Sequence, residues 1–80
     1  MFFSKPKVNE KHARCAARIL RYTSLNSSGN DEYQNIADFT ARLLHGEKAD
    51  YSLLLSAQEE LIKLGGNAEF FDDIRLDFLH

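Results

Sequence analysis

The sequence predicts an all-α protein, a compact bundle of about four short helices. Two observations carry that prediction. Apolar residues recur at three- and four-residue spacing in successive stretches, and each stretch closes on turn-forming residues. No stretch keeps the strict alternation of a half-buried strand. The nearest to one, Phe70 to Leu79, fails at Phe70-Phe71 and Asp72-Asp73.

Residues 1–8 read as an irregular arm, because Pro6 excludes a regular strand and biases Lys5 away from helix. Asn9 is placed to cap a first helix over about residues 10–24, whose apolar stripe is Ala13, Ala16, Ala17 and Leu20. The run Asn26-Ser27-Ser28-Gly29-Asn30 ends it, since these side chains compete with the helix ladder for backbone groups. A second helix is expected near Asp31, which has capping-box spacing to Gln34. Its inward face would be Tyr33, Ile36, Ala37, Thr40, Leu43 and Leu44, and His45-Gly46 would close it. Asp50 caps a third helix over 51–64, stopped by Gly65-Gly66. Asn67 caps a fourth that contains Phe70, Phe71, Ile74 and Phe78. The expected core is Leu20, Ile36, Leu43, Leu54, Leu61, Ile62, Ile74 and Phe78.

Eighty residues, 44% of them apolar, with no Trp and a single Cys, leave room for one domain, residues 1–80. Cys15 has no partner for a disulfide within the chain. No apolar run approaches the ~18 residues of a membrane span. A chain this short buries only about 60–65% of its unfolded surface, which makes self-association a reasonable expectation. The third helix suggests where. Tyr51, Leu53, Leu54, Leu55, Ala57, Leu61, Ile62 and Leu64 cover an arc of about 200°, twice what one-sided packing needs. Either this helix is central, or Leu53, Ala57 and Leu64 form the interface of a homodimer.

The charge is unevenly distributed. Residues 1–21 carry six cations against Glu10, a balance of +5, and residues 22–80 carry a balance of −7. Lys11, Arg14, Arg18 and Arg21 are spaced 3, 4 and 3 and fall within an arc of about 80° at helical periodicity. Lys7 joins them if the helix begins early. Such a stripe is a solvated face, a face neutralised by Glu69, Asp72, Asp73 and Asp77, or a binding surface for an acidic protein partner. Nucleic acid is the competing partner. The stretch Ala41 to Leu64 reads helix–turn–helix, but its second helix carries Glu59 and Glu60 with Lys63 as its one cation, which DNA would repel.

Chemistry has less support. His12 and Cys15 are three apart on one helix, and the neighbouring cations would favour a thiolate, yet no orienting group or oxyanion site accompanies them. A structural zinc needs four ligands, and beyond His12 and Cys15 only His45 and His80 remain as His or Cys. His45 suits a helix C-terminus. Glu59-Glu60 and Asp72-Asp73 diverge by 100° on a helix, so neither pair forms an acid/base dyad. No catalytic residue, metal or cofactor is expected. Phe2 and Phe3 ahead of the basic stretch could anchor at a membrane surface, but packing on the bundle is the simpler expectation. The Arg-rich start also has the composition of a transit peptide. Its removal would leave three helices with little core. With one free thiol and no secretory apolar segment, the expected location is cytoplasmic. The sequence therefore predicts a small non-enzymatic helical interaction protein, a homodimer and a regulator or inhibitor that acts by binding.

Overall fold

The computed structural model describes residues 7–29 and 31–79. The expectations for Phe2, Phe3, Lys5, Pro6 and His80 lie outside them. Helices α1 (Glu10–Asn26), α2 (Gln34–His45) and α3 (Tyr51–Lys63) are followed by a one-turn helix α4 (Asp72–Arg75). Two 3₁₀ turns flank α4, Ala68–Phe71 before it and Leu76–Phe78 after it. The all-α class is as predicted, and no strand occurs among the described residues. The fourth helix is shorter than expected: Asn67 Oδ1 accepts from Glu69 N–H as anticipated, but the turn it starts is 3₁₀.

The other caps follow local chemistry. Asn9 accepts the His12 N–H at 3.2 Å and Asp50 the Leu53 N–H at 2.8 Å, each satisfying a donor that the helix start leaves unpaired. Gly46 closes α2 in the left-handed region, φ 70°, where a Cβ would be strained. Gly66 is required by closeness, since a Cβ there would meet the Leu61 carbonyl oxygen at 2.9 Å.

The capping box at Asp31 does not form. Asp31 Oδ2 instead accepts from the Ser28 N–H at 2.6 Å, inside the loop. Helix α2 starts at Gln34, and its second and third N–H groups are satisfied from α3. Glu60 Oε1 accepts from the Asn35 and Ile36 N–H groups at 2.9 and 3.0 Å, and Oε2 from the Asn35 side chain at 2.8 Å. A carboxylate at a helix N-terminus is favoured by the helix dipole as well as by the bonds.

Helix α2 lies between α1 and α3, which scarcely touch, and the C-terminal segment packs across α1 and α3. The core forms where these meet: Ile19, Ile36, Phe39, Leu54, Leu61, Phe71 and Ile74 are fully buried. Phe39 of α2 is held between Phe71 and Phe78, with ring centroids 6.0 and 5.5 Å away.

Several predicted faces are rotated. In α1 the buried residues are Cys15, Ala16, Ile19 and Thr23, while Ala17 is exposed and Ala13 and Leu20 are half-buried. The inward face is turned by about 100° from the alanine stripe, because α2 and the C-terminal aromatics together pack on the Cys15–Ile19 side. In α2, Phe39 is buried and Tyr33, Ala37 and Leu44 are exposed. Of the predicted core, Leu20 and Phe78 are half-buried, and Ile62 is 48% exposed.

Helix α3 is central. Ala57 is 0% exposed within the single chain, and Leu53 and Leu64 pack against the core. That corrects the expectation that Leu53, Ala57 and Leu64 stand open for a second copy. The outward apolar side chains of α3 are Leu55 and Ile62.

Candidate functional site

Asn9 starts α1 at Glu10, so Lys11, Arg14, Arg18 and Arg21 all lie on regular helix, and all four are exposed. They run along about 15 Å of the axis. Lys7 is exposed ahead of the helix, beside a groove it lines with His12, Gly46 and Asp77.

The rotation of α1 decides what each cation meets. Turning the Cys15 side inward brings the C-terminal segment against one flank of the stripe. Lys11 Nζ pairs with Asp77 Oδ2 at 3.0 Å. The Arg18 guanidinium lies 4.6 Å from the centroid of the Phe70 ring, a cation–π contact. Arg14 and Arg21 have no carboxylate at ion-pairing distance among the described residues. Neutralisation by the C-terminal acids is therefore limited. Asp72 turns to Arg75 at 3.2 Å, and Asp77 serves Lys11 and His12. Asp73 lines a shallow groove of about 400 Å³ with Lys11, Arg14, Cys15, Arg18 and Phe70, without pairing.

His12 and Cys15 each bond to a different part of the C-terminal segment. His12 Nε2 is 2.8 Å from Asp77 Oδ2, and its ring stacks on Phe78 with centroids 5.2 Å apart. These bonds to His12 and Lys11 hold the Asp77 carboxyl below its ordinary 3.8. The Cys15 thiol donates to the Phe70 carbonyl oxygen at 3.0 Å. Burial pushes it up to about 11, with Asp73 adding to the shift and Arg18 opposing it. The expectation that neighbouring cations favour a thiolate is overturned, because desolvation outweighs them. Among the described residues no three of His, Cys, Asp or Glu converge as metal ligands. Also among them, no helix is long and apolar enough to cross a membrane.

Sequence reasoning missed two members of this face. Phe70, expected only as a member of the fourth helix, is half-buried and carries Arg18 on its ring. Leu25 continues the same spacing four residues beyond Arg21, a signal that was present in the sequence. The chain has no significant match among protein-family models, characterised proteins or solved structures.

Proposed function

We propose that this is a small helical interaction protein, a regulator or inhibitor that acts by binding an acidic protein surface through the outer face of α1. One observation carries the reading: Arg14, Arg18 and Arg21 stand exposed in a row, and among the described residues no carboxylate pairs with any of them. Like charges at three- and four-residue spacing destabilise a helix by about 0.2–0.5 kcal/mol per contact, so an acidic partner relieves a cost the folded chain carries. Lys11 lies at the edge of the face with its charge already shared, and Lys7 is exposed ahead of the helix, beside the groove of His12 and Asp77.

Phosphate backbones are the competing occupant. They fit less well, because Asp73 and Asp77 flank the cations on the C-terminal side and would meet the same polyanion. An acidic protein surface carries its carboxylates at discrete positions instead of as a continuous polyanion, and can leave the sites opposite Asp73 and Asp77 uncharged.

The test is Arg14→Glu with Arg18→Glu, read as partner capture and association rate across salt. Association should slow, and wild-type binding should weaken as the Debye length falls from ~10 Å at 0.1 M to ~3 Å at 1 M. Unchanged binding and salt dependence would reduce the stripe to a solvated face.

A further inference from the structure

The row on α1 does not stop at Arg21. Leu25, 74% exposed, follows it, so Lys11, Arg14, Arg18, Arg21 and Leu25 succeed one another at spacings of 3, 4, 3 and 4. That alternation averages 3.5 residues, so the row runs nearly parallel to the helix axis instead of winding around it. It spans about 21 Å at 1.5 Å per residue. An occupant that meets every member must be straight, about four turns long, and carry its own contacts at matching intervals. A second α-helix meets those conditions. An extended segment offers same-face side chains only every ~6.8 Å and falls out of step along the row.

The flanks suit the same occupant. Phe70, with Arg18 stacked on it, walls the row on the C-terminal side. On the other side Ala17 is exposed and small, so a rod about 10 Å across can approach closely. Leu25, exposed beside the arginines, can supply the apolar contact that a helix pair uses at one end.

Building on the acidic-partner reading above, we infer that the α1 row receives a single acidic α-helix. Carboxylates at three- and four-residue spacing on that helix meet Arg14, Arg18 and Arg21, and an apolar side chain meets Leu25. The probe is a synthetic side-chain-bridged helical peptide of about 18 residues. It carries Glu at that spacing with Leu at both ends of the row, which serves either orientation. A control of equal composition spreads its Glu residues around the helix.

Fluorescence anisotropy with the full chain should show the phased peptide binding about tenfold tighter than the control. Leu25→Ala should weaken the phased peptide by about tenfold, the worth of one buried leucine, and leave the control unchanged. Arg14→Glu with Arg18→Glu should weaken both, and far-ultraviolet circular dichroism of each variant checks that the helices persist. Equal affinity for the two peptides, lost on charge reversal, overturns the helical partner and keeps the acidic one. No binding of either peptide overturns both. A DNA duplex that binds tighter than the phased peptide overturns the inference in favour of phosphate.

Discussion

Cys15 and Asp77 illustrate how position, not residue type, sets reactivity in this chain. The Cys15 thiol sits among apolar neighbours and donates to the Phe70 carbonyl, so its pKa of about 11 reflects burial. At pH 7–8 it should react slowly with an alkylating reagent in the folded protein and rapidly once urea unfolds it. Fast labelling of the native state would contradict the buried thiol. Asp77 shows the opposite shift. Its carboxyl is lowered by bonds from His12 and Lys11, so the unfolded chain holds the proton more tightly than the folded one. Its contribution is present above the unfolded value near 3.8 and fades as pH falls through the lower folded value. Asp77→Asn should therefore flatten the acid limb of a plot of Tm against pH, most visibly below about pH 4.

At the scale of elements, the least local feature is the start of α2. Asp31 and Gln34 have the spacing of a capping box, but the carboxylate that receives the α2 amides belongs to Glu60 on α3. Glu60→Ala should cost about 1–3 kcal/mol in urea unfolding, because it strands the Asn35 and Ile36 N–H groups and removes the bond to the Asn35 side chain. Hydrogen exchange should quicken first at Asn35 and Ile36. Asp31→Ala, by contrast, touches the loop bond to Ser28 and should leave those amides protected. If the two variants lose protection alike, the cap across helices is not what holds the start of α2.

For the whole molecule, the position of α3 bears on self-association. Ala57 is enclosed, and Leu53 and Leu64 are half-buried against the core, so charge at these sites should destabilise the fold itself and is no clean test of pairing. If copies pair through α3, Leu55 and Ile62 are the side chains that meet. Ile62→Asp should then convert a dimer to a monomer in sedimentation equilibrium while leaving the far-ultraviolet spectrum helical. A wild-type chain that sediments at ~9 kDa at high micromolar concentration would end the sequence-based expectation of a homodimer. Leu54→Ala or Leu61→Ala should instead lower stability by about 2–5 kcal/mol through cavity formation, whatever the oligomeric state.

What the sequence determined by itself was local: the helical class, the caps at Asn9, Asp50 and Asn67, the stop at Gly46, and the straight row of cations on α1. Each depends on residues within a few positions of one another, and helical periodicity with cap chemistry is enough to specify it. Tertiary structure decided which way the helices face. Ala13, Ala17 and Leu20 form as good a stripe as Cys15, Ile19 and Thr23 when α1 is considered alone. Packing against α2 and against the aromatic C-terminal segment selects the second. The same packing shares Lys11 with Asp77, stacks Arg18 on Phe70 and leaves Arg14 and Arg21 without a carboxylate among the described residues. A helix carries its own periodicity, but its rotation about its axis is settled by the area it buries against elements distant in the chain.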